Sequence, residues 1–236
     1  MTCPTGQHPL SATPIRLLLL GRWDLRDGET SIKVSANGQR LLALLALRGG
    51  LRRERVWGTL WPDTTDQFAS GRLRTSLWRL GDQRQYLLHE SGGMLELCPA
   101  VDVDVHRMEA EADLGDLVGR RSFDRDLLID WDDGWLDIDR EQVRQTRLHA
   151  LESLATRLTG AGRYLDAVLT GLQALNDAPL RESAHRAVIA AHLAEGNFAE
   201  ARAQYERCRR ALRRELNIEP TWHLSSLMPP QIRDAG

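Results

Sequence analysis

The segment Gly162-Arg-Tyr164-Leu-Asp-Ala167 returns as Gly196-Asn-Phe198-Ala-Glu-Ala201, 34 residues further along the chain. That is the tetratricopeptide period, with glycine for the inter-helix turn, an aromatic at the start of the second helix and a small alanine where helices touch. One such helix pair cannot bury both of its faces, so the rear half of the chain must be a stack of helices. The pattern predicts helices over about residues 136–159, 163–175, 181–194 and 198–216, with Asp177-Ala178-Pro179 breaking the chain between units. The segment from Val105 and the tail 221–227 act as caps. A short solenoid of this kind serves either as a dimerisation or scaffold element or as a regulatory docking surface.

The front half has a different grammar. Residues 15–20, 23–26 and 30–34, with a turn at Asp27-Gly28, read as a small antiparallel sheet. Asn37 is a fitting N-cap for a helix over 38–47 that is leucine-rich almost all round and hence buried, and Gly49-Gly50 stops it. A helix over 52–60, a turn at Pro62-Asp63-Thr64-Thr65 and a helix capped by Asp66 and ended by Gly81 follow. Segments 86–90 and 94–97 around Ser91-Gly92-Gly93 form a hairpin. Cys98-Pro99-Ala100 closes this part, and 101–105 reads as a short extended connector. The fold class is therefore an α+β N-terminal winged helix of the response-regulator effector type, then an all-α tetratricopeptide-like repeat domain, divided as 13–98 and 99–228. The hairpin is either a wing or a core-closing ribbon.

Within the helix after the turn, Ala69, Leu73, Leu77 and Leu80 share one stripe, while Arg72, Arg74, Thr75, Trp78 and Arg79 point elsewhere. One face can dock on a core while the other offers guanidinium forks, which match the paired acceptors of guanine in the major groove. Arg72, Arg74, Thr75 and Arg79 are the expected DNA contacts. Trp78 either stacks on sugar or packs against the wing, and Gly71 either lets the backbone approach DNA closely or is a tolerated helix-weakening residue. Arg52, Arg53 and Arg55 open the preceding helix and are placed to hold phosphates without sequence preference. Charge supports the division: residues 1–98 hold 13 Lys+Arg against 9 Asp+Glu, and the remainder 18 against 24.

Other chemistries find little footing. Cys3, Cys98 and Cys208 are too few and too separated for a disulfide framework or a thiolate metal site. The run 15–20 contains Arg16 and is far too short for a membrane span or signal segment, so a cytoplasmic protein without membrane contact is expected. The acidic run of Asp124, Asp126, Asp130, Asp132, Asp133, Asp137 and Asp139 lacks the order of a calcium loop and reads as a solvated face or a polymerase-docking patch. His185 and His192 are seven apart, not the four of a helical zinc pair. With neither a phosphate-binding Gly-x-x-x-x-Gly-Lys run nor a Gly-x-Ser-x-Gly elbow, no cofactor, metal or enzymatic activity is expected.

Several stretches taken in order, Gln39-Arg40-Leu-Leu-Ala-Leu-Leu-Ala-Leu-Arg-Gly49, Leu60-Trp61-Pro62-Asp63, Gly71-Arg-Leu-Arg-Thr-Ser-Leu-Trp-Arg-Leu80, Trp131-Asp-Asp-Gly-Trp135, Pro179-Leu-Arg-Glu-Ser183 and Ala194-Glu-Gly-Asn197, resemble the SARP family of antibiotic-pathway transcriptional activators. The resemblance runs from about residue 15 to 227. It implies a winged-helix DNA-binding domain followed by a bacterial transcriptional activation domain. It also implies a function: binding short direct repeats near the promoter −35 region as two protomers, and recruiting RNA polymerase through its sigma factor and alpha subunit to a biosynthetic gene cluster. By length the chain resembles a small member or the front of a larger one. Two other readings stand beside it: a tetratricopeptide-type protein-interaction adaptor, and a repressor of the same fold.

Overall fold

The computed structural model describes residues 14–114 and 125–227, and the chain divides into two compact units. One gathers residues 1–109 with 124–144, the other 110–123 with 145–236.

The first unit begins with β1 (Ile15–Leu18), β2 (Asp24–Asp27) and β3 (Thr30–Ser31), paired antiparallel in succession. Alternation along β1 sends Ile15 and Leu17 inward. Next comes α1 (Ala36–Arg48), whose Leu41, Leu42, Leu44 and Leu45 are all buried, as its composition predicts. Its cap differs from expectation: the Ser35 hydroxyl, not Asn37, accepts the Gly38 N–H. Two residues beyond Gly49-Gly50 form β4 (Leu51–Arg52), a strand too short to show periodicity. Then follow α2 (Arg53–Leu60) and α3 (Asp66–Arg79). Thr65 occupies the N-cap of α3 without a side-chain hydrogen bond, and Asp66 lies in the first turn, where its charge suits the helix dipole.

Segment 86–90, expected as strand, is split. A helical turn, α4 (Arg84–Leu87), drives Leu87 into the core before β5 (Leu88–Ser91) starts. The turn between β5 and β6 (Met94–Leu97) uses Gly92 and Gly93 at positive φ, and β4 adds to β6, so the expected hairpin is a three-stranded sheet ordered β4-β6-β5.

The expected connector is also structural. Its Asp102–Val103, β7, pairs in parallel with β1. Asp104, opening α5 (Asp104–Leu114), accepts the Leu19 and Leu20 N–H groups at 2.9 Å each. Segment 125–144 belongs to this same unit. Leu128 N–H donates to Leu19 O, Ile129 N–H to Gly21 O, and Arg140 to the carbonyls of Leu127, Leu128 and Trp131. Part of the acidic run is committed here: Asp133 pairs with Arg40, and buried Asp139 with Arg48.

The helix α6 (Asp137–Gly160) crosses the boundary between units. In the second unit α7 (Tyr164–Asp177), α8 (Glu182–Glu195) and α9 (Phe198–Leu216) follow, each packed on the next and close to the predicted bounds. Both repeat glycines have positive φ, Gly162 at 73° and Gly196 at 88°, as turns between helices demand. Both repeat alanines, Ala167 and Ala201, are fully buried, and the aromatics Tyr164 and Phe198 are the first residues of their helices. α10 (Trp222–Ser225) places Leu224 against Ile189, Cys208 and Leu212, closing the stack as the tail was expected to. No helix among the described residues is long and apolar enough to cross a membrane.

Candidate nucleic-acid interface

The outward face of α3 is positioned by what holds its other face. Ala69, Leu73 and Leu77 are at most 2% exposed and sit beside buried Leu80. Before it, the turn 61–65 is pinned by buried Trp61, whose N–H reaches Trp57 O and whose carbonyl accepts both the N–H and the hydroxyl of Thr64. Arg40 of α1 donates to Leu60 O at 2.9 Å, satisfying a carbonyl at the end of α2 that the helix leaves open. The second helix of the pair is thereby presented on a braced support.

Arg72, Arg74, Thr75, Trp78 and Arg79 are all exposed, and the structure brings the five together on one helix. Among the described residues Arg72, Arg74 and Arg79 have no carboxylate partner, unlike Arg40, Arg48, Arg53 and Arg84, which are all paired. Guanidiniums left unpaired on one braced face keep their full donor set for an external anion or acceptor pair. The Thr75 hydroxyl donates to Gly71 O at 3.0 Å, which leaves its lone pairs to accept. Trp78 is 77% exposed, so among the described residues it is not part of a core. Apart from its own stretch of helix, nothing among the described residues lies within 4 Å of where a Cβ on Gly71 would stand, so their packing does not require glycine there.

The arginines at the start of α2 are not equivalent. Arg52 and Arg55 are exposed and free of ion pairs among the described residues. Arg53 is half-buried and bound to Glu90 of β5 at 2.7 Å, and Arg84 grips the same carboxylate from the other side. Burial pushes the Glu90 carboxyl up, but the hydrogen bonds from Arg84 and Arg53 outweigh that and hold it below its usual value. This triad staples α2, α4 and the sheet together and commits Arg53 and Arg84, while Arg52, in register with Met94 beside the hairpin turn, stays unpaired among the described residues.

Sequence reasoning passed over Phe68, which is 72% exposed one turn before Arg72. A wheel centred on Leu73 puts it on the outward side, a signal that was available from spacing alone.

The chain is similar to several known proteins. Residues 118–230 match the family model of the bacterial transcriptional activator domain. Over 225 residues the chain is 31% identical to the regulatory protein AfsR of Streptomyces coelicolor, covering 86% of this chain and 22% of that one. AfsR of Streptomyces griseus is 29% identical over 254 residues, covering 97% and 26%. The chain thus spans about a quarter of the length of these curated relatives. Among solved structures it is similar to Mycobacterium tuberculosis EmbR, determined in complex with a low affinity phosphopeptide. That match has a TM-score of 0.73 at 17% identity over 91% of this chain and 64% of that one, a likeness of fold.

Proposed function

We propose that this chain, a SARP-type transcriptional regulator with a bacterial transcriptional activator domain over residues 118–230, binds promoter DNA by sequence and activates transcription from it. One observation carries the reading: three exposed arginines without ion-pair partners among the described residues share the outward face of a helix whose opposite face is locked into the core. In a major groove, Arg72, Arg74 and Arg79 fork onto guanine acceptors while Thr75 and the open backbone at Gly71 allow close approach. Trp78 lies against sugar. Arg52 and Arg55 hold phosphates, and Arg53 contributes only what its bond to Glu90 leaves over.

Residues 13–98 carry the DNA contacts, and 99–228 carry contacts to the sigma factor and alpha subunit of RNA polymerase. Two copies on direct repeats one helical turn apart near the −35 region would face the same side of the duplex. The regulated genes would form a biosynthetic cluster. Binding and geometry, with no chemical step, account for the whole activity.

Fluorescence anisotropy on a promoter duplex and a scrambled duplex tests this. Arg74→Ala should cost about 1–3 kcal/mol on the promoter and relax preference at one base pair. Arg52→Ala should weaken both duplexes alike and lower the salt slope by about 1. Equal losses for both variants on both duplexes would remove the base-reading role. Weak, salt-erased and sequence-blind binding by the parent chain would favour a protein adaptor, and reduced output in transcription with purified polymerase would favour a repressor.

A further inference from the structure

Phe68 is the third residue of α3, and its ring is 72% exposed although the next residue, Ala69, is 1% exposed. The first turn is therefore docked, and the ring points outward by register, not through fraying. At about 100° per residue Phe68 lies about 140° round the helix from Leu73, beside Thr75, Arg72 and Arg79. A phenyl ring has neither donor nor acceptor. On a face otherwise made of guanidiniums, a hydroxyl, an indole N–H and open backbone, it is the one large group that can pair with no phosphate and no polar base edge.

What such a ring can meet in a major groove is an apolar patch, and among the four bases only thymine supplies one there, its C5-methyl. The N-terminal turn of the second helix is where helix-turn-helix proteins approach base edges. With a rise of about 1.5 Å per residue, Phe68 and Arg72 are about 6 Å apart along the axis, which is roughly two base-pair steps. We infer that Phe68 is a specificity residue that packs on a thymine methyl, so that each half-site carries a thymine within roughly two steps of the base pair met by Arg72. The inference rests on α3 reading DNA, as proposed above.

The test starts from duplexes enriched by the full chain from a random pool. Each thymine of the enriched consensus is replaced in turn by uracil, which deletes only the methyl group, and affinity is read by anisotropy at fixed salt. Loss of one buried methyl should weaken binding about three- to fivefold per half-site at a single thymine. Phe68→Ala, which removes an exposed ring, should bind thymine and uracil duplexes equally, and Phe68→Leu should restore part of the preference. If the parent chain enriches a consensus yet ignores every uracil substitution, or if Phe68→Ala keeps the preference, the Phe68 assignment is overturned while DNA reading stands. If no consensus is enriched, the DNA-reading proposal falls with it.

Discussion

Removing Arg48 should destabilise the first unit far more than removing the carboxylate it binds. Arg48 sends Nε and one Nη to the two oxygens of Asp139 at 3.2 and 2.7 Å, and donates to Trp135 O at 2.6 Å. Its guanidinium also lies 5.6 Å from the Trp135 ring centroid. The pair is asymmetric in burial: the Asp139 side chain is 6% exposed, the Arg48 side chain 32%. Arg48→Met strands an almost dry carboxylate, which costs about 3–5 kcal/mol. Asp139→Asn leaves a cation that water and the Trp135 carbonyl still solvate, and should cost about 1–2 kcal/mol. Arg48→Met combined with Asp139→Leu removes both charges and should recover most of the loss. Urea titration followed by tryptophan fluorescence reads the effect, because six of the seven tryptophans, all but Trp222, lie in the first unit. A loss for Asp139→Asn equal to or above that for Arg48→Met would refute the burial argument.

A Cβ on Gly171 would stand 2.5 Å from Val188 Cγ2 and 3.6 Å from the Val188 backbone N, too close for a stiff β-branched side chain to yield. Gly171→Ala should therefore lose about 1–2 kcal/mol by urea titration despite better helix propensity, and should turn stabilising in a Val188→Ala background; the same sign in both would contradict the clash. His185 is pulled below its ordinary value by burial, against the opposing influence of its hydrogen bond to Pro179 O, and its Nδ1 faces the Gln204 amide at 2.9 Å. The folded state thus takes up this proton later than the unfolded chain, so the thermal midpoint of the helical unit should fall as pH drops through about 6.5. His185→Asn should flatten that slope, and an unchanged slope would assign it elsewhere. Glu90, held low by Arg84 and Arg53, contributes stability that is present above pH of about 4.5 and lost as pH falls through its folded value. Glu90→Gln should be destabilising at pH 7 and progressively less so as pH falls below about 4.5 in the same titration, and a constant difference would exclude the ion-pair account.

What the sequence disclosed follows from period. The 34-residue repeat and the stripe through Ala69, Leu73 and Leu77 are signals several turns long, and the structure reproduces both. The outward placement of Arg72, Arg74, Thr75, Trp78 and Arg79 came from the same wheel. Features that escaped are set by partners distant in sequence. The two-residue strands at Leu51–Arg52 and Asp102–Val103 have no period of their own and exist through β6 and β1. The acidic run looked like a solvated face because the cations that claim Asp133 and Asp139 stand about ninety positions earlier, in a helix whose leucines dominate its pattern. Tyr86, Leu87 and Leu88 are apolar enough for either strand or helix, and the short turn at 84–87 resolves in favour of burying Leu87.

The bonds that Asp104 accepts from Leu19 and Leu20 just past β1, over 85 and 84 residues, and the one from Leu128 N–H to Leu19 O have a consequence for biogenesis. During synthesis from the N-terminus, α1 to α3 emerge first, but the groups that cap the end of β1 and neutralise Arg48 reach the nascent chain only once residues up to 139 have been polymerised. Loop closures of that length make the last step of folding late and slow relative to the local helix pairs. Ribosomal arrest at about residue 100 should accordingly yield a helix-turn-helix that protease digests, and release beyond residue 144 one that resists it.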